Sequence, residues 1–204
     1  STQGVSSAAS DVYKRQIQQT SNKAFKEGEK VIVTGYDLGM NTAGGFGQYI
    51  RVPSAWATPL PDGLSEIESM SLGTAGLTAG LSVNALDSFR GNKGFEGTKS
   101  IVTGSTGGVG SIALMLLTKL NSEVTAVTGK ETQKEFLNDL GASEVILREG
   151  LEEIARKPIG KSIWDLGVDV ASGDMLTLLL TSLTPGGAVA CSCLLYTSPS
   201  PRDS

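Results

Sequence analysis

Apolar positions in the second half of this chain fall into short runs whose period switches repeatedly between strand and helix. Residues 100–103 (Ser-Ile-Val-Thr) form a β-rich run, and residues 111–120 carry apolar side chains at helical spacing. Residues 123–128 (Glu-Val-Thr-Ala-Val-Thr) predict a second strand, stopped by Gly129. Residues 132–140 predict a helix, with Gly141 placed to end it. A third strand is expected over 143–147, and a helix over 151–157 that Pro158 terminates. Residues 167–171 read as a fourth strand, and Asp174 can cap a helix reaching residue 183. Pro185-Gly186-Gly187 then turns the chain into a fifth strand over 188–191. Strict alternation of strand and helix predicts an α/β fold, a doubly wound parallel Rossmann sheet covered on both faces. Right-handed crossovers place all strand C-termini along one edge, where a ligand sits. The sheet is expected to be incomplete, because such domains usually carry a sixth strand.

The first hundred residues follow a different pattern. Residues 30–35 and 47–53 are strand-like and are separated by a glycine-rich stretch over 39–47. Pro59, Pro61 and Gly63 mark a connection. Residues 65–90 then read as helix in two pieces, broken near Gly73-Thr74-Ala75-Gly76. A β-rich remnant is therefore expected before residue 65 and the nucleotide-binding domain after it.

The junction between the first strand and helix of the alternating region carries the chemistry. Val102-Thr103-Gly104-Ser105-Thr106-Gly107-Gly108-Val109-Gly110 joins them directly. Strand, glycine turn and helix in succession suit a dinucleotide pyrophosphate. One glycine turns the chain, one lets the backbone approach the phosphates, and one lets the helix pack against the sheet. The unpaired N–H groups and positive end of the helix dipole face the anion. Gly104, Thr106, Gly107, Gly108, Val109 and Gly110 are the candidate phosphate contacts. The spacing is one residue longer than the strict G-x-G-x-x-G pattern. About twenty residues on, an NAD-selective site places an acid to bind the ribose 2′-hydroxyl. Here that place holds Thr128-Gly129-Lys130, and Lys130 is a cation suited to a 2′-phosphate. Thr128, Gly129 and Lys130 are therefore candidate cofactor residues, and NADPH is the expected cofactor. Glu131 is adjacent, and its side chain is expected to leave in another direction.

Charge and composition exclude several classes. The net charge is −4, which argues against nucleic acid or an anionic membrane as a partner. No apolar run is long enough to span a bilayer. The chain has no histidine and two cysteines. Histidine bases, Ser-His-Asp triads and most zinc sites are absent from the visible sequence, and a disulfide framework is not expected.

Both ends read as foreign to the fold. Residues 6–16 and 193–203 back-translate codon for codon into the two strands of a transposase-type sequencing adapter. Residues 1–16 and 193–204 are therefore set aside as adapter-derived, leaving 17–192. Setting them aside removes Lys14, Arg15 and Arg202 against Asp11 and Asp203, so the remainder is one unit more negative. The chain is expected to be a gene fragment cut at both ends, poorly ordered or poorly soluble by itself and without enzymatic activity.

Several further segments then carry a family resemblance. Gly35-Tyr36-Asp37-Leu38-Gly39, Gly44-Gly45-Phe46-Gly47-Gln48-Tyr49, Gly73-Thr74-Ala75-Gly76-Leu77-Thr78-Ala79 and the turn at 102–110 occur in the order seen in medium-chain reductases. So do Leu140-Gly141-Ala142-Ser143-Glu144-Val145-Ile146 and Pro185-Gly186-Gly187-Ala188-Val189-Ala190. Together they resemble the zinc-independent medium-chain dehydrogenase/reductases, and within them the acrylyl-CoA reductase and quinone oxidoreductase family. The resemblance covers nearly all of residues 25–192. It implies a β-rich, GroES-like catalytic domain over 17–64 and an NADP-binding Rossmann domain over 65–192. It implies NADPH as hydride donor and an activated C=C bond as acceptor, in an enone, a quinone or an acyl-CoA thioester. It also points to Thr128-Gly129-Lys130 as the 2′-phosphate site.

Around Ser71-Leu72-Gly73, where zinc-dependent relatives carry ligands, there is no Cys or His, so no metal is expected. Tyr36, Tyr49, Thr74 and Thr78 are the visible side chains able to donate to a developing enolate. None is assigned a catalytic role. A homodimer in the cytoplasm is expected of the full-length protein. Two alternatives stay open. Thr103-Gly104-x-x-x-Gly108-Val109-Gly110 also fits the phosphate turn of short-chain dehydrogenases, although no tyrosine here has a lysine four residues on. A non-catalytic nucleotide-binding protein of the same fold is the other.

Overall fold

The computed structural model describes residues 12–155 and 162–192. The chain divides into two compact units, Ser1–Leu77 and Thr78–Ser204.

In the first unit, β1 (Val12–Gln16), β2 (Lys30–Thr34) and β3 (Ala57–Pro59) form an antiparallel sheet in the order β1-β2-β3. Val31 and Val33 alternate with more exposed neighbours along β2, so one face is buried. Val33 and Leu38 form a small core, covered in part by Ile50, Val52, Trp56 and Ala57. Two expectations need correction. Residues 47–53 form no strand. Both edges of β2 are already paired, by β1 and β3, which leaves that segment no ladder to join. Its alternating Ile50 and Val52 still supply side chains to the core. Residues 12–16, set aside in the sequence reading, form β1, because an extended segment there satisfies the second edge of β2.

The helix α1 (Glu66–Phe89) opens with a capping box. The backbone N–H of Glu68 donates to Ser65 Oγ at 3.2 Å, and Ser65 N–H donates to the Glu68 carboxylate at 2.7 Å. Hydrogen bonding to the Ser65 side chain, and then to its backbone N–H, holds the Glu68 carboxyl below the ordinary carboxylate range. Helical geometry breaks at Gly73 (φ 53°, ψ −154°), where the sequence places the division into two pieces.

The second unit alternates as the sequence pattern predicts. In chain order it contains β4 (Lys99–Val102), α2 (Gly108–Lys119), β5 (Glu123–Thr128), α3 (Lys134–Asp139), β6 (Glu144–Leu147), α4 (Arg148–Ala155), β7 (Trp164–Asp169), α5 (Asp174–Thr181) and β8 (Leu183–Cys191). All five strands are parallel, in the order β6-β5-β4-β7-β8. Successive side chains point to opposite faces, so each strand feeds two cores. Val102, Val124, Ala126, Leu166 and Val168 pack with Ala113, Leu114 and Leu117 of α2 and with Leu137 of α3. Ile101, Val127 and Trp164 pack on the other face with Leu151 of α4 and with Met175 and Leu179 of α5.

Several boundaries differ from the sequence reading: β7 begins at Trp164 and α4 at Arg148, each earlier than expected. The glycine pair of Pro185-Gly186-Gly187 lies inside β8, as an irregularity between the pairs Trp164–Leu183 and Leu166–Ala188. Asp165 stabilises this excursion by accepting a hydrogen bond from Thr184 Oγ1 at 3.0 Å. The expected end of α4 at residues 156–158 falls outside the described residues.

Strand order fixes where a ligand can enter. The chain leaves β4 toward β5 and β6, then crosses back to β7 on the other side of β4. A doubly wound sheet opens a crevice at that reversal, beyond the carboxyl ends of its strands.

Candidate functional site

The turn after β4 is held on both sides by hydroxyl groups. Ser105 N–H donates to the Val127 carbonyl at 3.1 Å, and Ser105 Oγ accepts the Val127 N–H at 3.1 Å. The same hydroxyl donates to the Val102 carbonyl at 2.7 Å. Toward β7, Thr103 N–H donates to the Val168 carbonyl at 3.0 Å, and Thr103 Oγ1 donates to the Asp169 carboxylate. Thr103 and Ser105 are both fully buried. Gly104 adopts the left-handed region (φ 58°), which a side chain would disfavour. A Cβ at Gly110 would fall 2.3 Å from the Gly104 carbonyl oxygen. Helix α2 therefore starts tight against the turn. Its N-cap, Gly107, supplies no side-chain hydrogen bond, and its first turn holds no acidic residue. The helix thus begins with N–H groups left for an anion.

A cleft of about 360 Å³ opens at the carboxyl ends of these strands. Of the nine predicted cofactor residues, Gly104, Thr106, Thr128, Gly129 and Lys130 line it. Gly107, Gly108, Val109 and Gly110 do not. They form the end of the turn and the first turn of α2, with Gly107 and Gly108 open to solvent, Gly110 buried and Val109 packed on the core. Thr128 Oγ1 accepts the backbone N–H of Lys130 at 3.1 Å, which fixes the chain where the lysine departs. Glu131 is engaged by Lys134 at 3.2 Å and does not line the cleft.

Five lining residues escaped the sequence reading, among them Val127 at the end of β5 and Glu149 beside Arg148. Arg148, at the start of α4, brings Nη2 within 3.8 Å of the position a Cβ on Gly129 would take. Ala171 and Met175 come from the connection after β7 and from α5. The Arg148 signal was present in outline, since a cation directly after a predicted strand lies at the ligand edge of a parallel sheet. The sequence alone does not say which strand neighbours β5. The cleft thus holds two cations, Lys130 and Arg148, with Glu149 as its acid. Backbone donors, a close helix start and two cations fit an anionic dinucleotide.

The four enolate-donor candidates are placed as follows. Tyr36 is exposed and stacks on Trp56 with ring centroids 5.1 Å apart, its hydroxyl donating to the Ala55 carbonyl at 3.4 Å. Tyr49 is exposed. Thr74 lies beside the break in α1, and the Thr78 carbonyl accepts the hydroxyl of Ser82 at 2.8 Å. Among the described residues no group of three His, Cys, Asp or Glu could hold a metal ion. Nor is any described helix long and apolar enough to cross a membrane.

Comparison with known proteins agrees with this fold. Residues 108–200 match the family described as zinc-binding dehydrogenase. YhfP of Bacillus subtilis (strain 168), which carries the name of a quinone oxidoreductase, is 42% identical over 180 residues, covering 87% of this chain and 53% of that protein. Acrylyl-CoA reductase AcuI of Ruegeria pomeroyi is 37% identical over 174 residues, covering 85% and 52%. The crystal structure of the YhdH oxidoreductase from Salmonella enterica in complex with NADP superposes with a TM-score of 0.80 at 34% identity, covering 88% and 54%. That of Bacillus subtilis YhfP with NAD bound gives 0.82 at 40% identity, covering 92% and 56%. The chain spans about half the length of these relatives.

Proposed function

Since the chain belongs to the medium-chain dehydrogenase/reductase family, of the acrylyl-CoA reductase and quinone oxidoreductase type, we propose that its cleft binds NADPH for a reductase. The whole protein would reduce an activated C=C bond of an α,β-unsaturated carbonyl, in an acryloyl thioester, an enone or a quinone, without a metal. Residues 65–192 supply the nucleotide domain and 17–64 part of the β-rich catalytic domain. The full-length protein would act as a cytoplasmic homodimer on a small-molecule substrate.

One observation carries the cofactor assignment. Lys130 and Arg148 both line the cleft at the ends of β5 and β6, where an NAD-selective site needs an acceptor for a ribose hydroxyl. Cations there attract a 2′-phosphate, and a guanidinium can engage it in bidentate fashion. The N–H groups at the start of α2 orient the pyrophosphate, and Gly110 lets the helix stand close enough to do so. NADPH, when bound, supplies the hydride. The chain's own part is to bind and orient the nucleotide. The AcuI relative bears the name of an acrylyl-CoA reductase, and the YhdH neighbour was crystallised with NADP.

Two measurements test the reading. Titration of the protein with NADPH and NADH should show tighter NADPH binding. Turnover by a protein extended to the length of its relatives should consume NADPH with acryloyl-CoA, an enone or a quinone, and prolonged dialysis against a chelator should leave the rate unchanged. Metal-dependent alcohol oxidation would place it in another branch of the family.

A further inference from the structure

Asp169 ends β7 with its carboxylate fully buried and no cation beside it among the described residues. Neutral donors satisfy it instead. The Thr103 hydroxyl donates to Oδ1, as does Ala171 N–H at 3.4 Å, and Ser172 N–H donates to Oδ2 at 3.1 Å. Thr103 Oγ1 in turn accepts the N–H groups of Val170 at 3.0 Å and Ala171 at 3.3 Å. Three successive amides therefore converge on two buried side chains, one directly after β4 and one at the end of β7.

Burying a carboxylate this way is costly, and sheet pairing does not require it. β4 and β7 are already joined by their own ladder. What the pair does hold is the connection 170–173. There Ser172 (φ 59°) and Gly173 (φ 62°) are left-handed in succession, a conformation that a serine adopts only when its surroundings impose it. The same connection faces the cleft. Ala171 lines it, as does Met175 just beyond, and the Val170 Cβ lies 3.6 Å from the position a Cβ on Gly104 would take.

We infer that Thr103 and Asp169 are positioning residues, which clamp the 170–173 connection as a fixed wall of the cleft and so set dinucleotide affinity without touching the dinucleotide. This rests on the dinucleotide reading proposed above. A wall that holds the nucleotide by shape acts on NADPH and NADH alike, whereas a 2′-phosphate contact acts on NADPH alone.

The test compares Thr103→Val, Thr103→Ser and Asp169→Asn with the parent and with Lys130→Ala. NADPH and NADH dissociation constants are measured on protein shown to melt cooperatively. Loss of a hydrogen bond to a charged group predicts about tenfold weaker binding of both cofactors in Thr103→Val and Asp169→Asn, with their ratio unchanged. Thr103→Ser, which keeps the hydroxyl, should restore the parent values. Lys130→Ala should change the ratio. Hydrogen exchange without ligand supplies a second readout. Amides 170–172 should exchange faster in Asp169→Asn while those of β5 keep their protection, and this decides the matter if Thr103→Val does not fold. Unchanged dissociation constants, failure of Thr103→Ser to restore them, or unchanged exchange at 170–172 would overturn the inference with the dinucleotide reading intact. A parent that binds neither NADPH nor NADH would overturn the dinucleotide reading, and this inference with it.

Discussion

Any side chain at Gly110 would set its Cβ 2.3 Å from the carbonyl oxygen of Gly104, so helix α2 and the phosphate turn touch through bare backbone. The neighbouring contacts are also too short, at 2.8 Å to the Gly104 carbonyl carbon and 2.9 Å to the Ser105 Cα. None of these atoms ends a flexible side chain, so none can swing aside. Gly110→Ala must push the helix away from the turn, and overpacking of this kind costs on the order of 1–3 kcal/mol. The same shift takes the first-turn N–H groups off the pyrophosphate. The expected outcome is a lower melting temperature together with lost NADPH binding, followed by thermal denaturation and titration. Normal values for both would mean the turn repacks freely.

Cofactor selectivity is expected to lie in Lys130 and Arg148. Lys130→Ala should weaken NADPH binding by about 1–3 kcal/mol, the range for a charged hydrogen bond, and leave NADH nearly unchanged. Arg148→Ala should act in the same direction, and the preference for NADPH should narrow further in the double variant. The cleft opens to solvent, so the effect should shrink as salt is raised. Equal losses for the two cofactors would remove both residues from the 2′-phosphate site.

Local pattern made the sheet legible, and long-range pairing hid much of the site. Residues 123–128 were readable as a strand because five of the six are buried and Gly129 ends the run. The break in α1 was readable because glycines cluster there. Residues 47–53 misled because apolar alternation reports which side chains are buried, not whether a free strand edge is available. Within the turn, the glycines announce themselves, but Thr103 and Ser105 look like ordinary small residues. Their importance comes from Asp169 and Val127, at sequence separations of 66 and 22. Arg148 was obscure for a similar reason, since its place beside Gly129 depends on β6 lying next to β5.

A buried indole offers a check on the packing of the sheet. Trp164 is almost wholly buried, and its Nε1–H donates to Thr125 Oγ1 at 3.0 Å across the sheet face. Thr125→Val keeps the shape and removes the acceptor, which leaves a buried N–H unpaired at a cost of about 1–3 kcal/mol. Thr125→Ser should retain most of the stability. Chemical denaturation followed by tryptophan emission measures both. Equal stability of the valine and serine variants would show that the bond contributes little.

The thiol of Cys191 gives the chain a pH dependence whose sign follows from its surroundings. Cys191 ends β8 directly across from Asp169 and remains accessible to solvent. Partial burial raises its pKa above the ordinary thiol value, and the negative charge of Asp169 raises it further. Both effects disfavour the thiolate in the folded state. Below the unfolded thiol's pKa the group is neutral in both states and neither gains. As pH rises from that value toward the raised folded one, the unfolded chain releases its proton first, so stability falls through that window. Alkylation should show the same shift, because the thiolate is the nucleophile. In a Cys193→Ser background, which leaves a single thiol, the rate at neutral pH should be below that of a free cysteine. The inflection of rate against pH should lie above the free value. Asp169→Asn should bring it part of the way back, since burial remains. An inflection at or below the free value would show that neither burial nor Asp169 acts on the thiol.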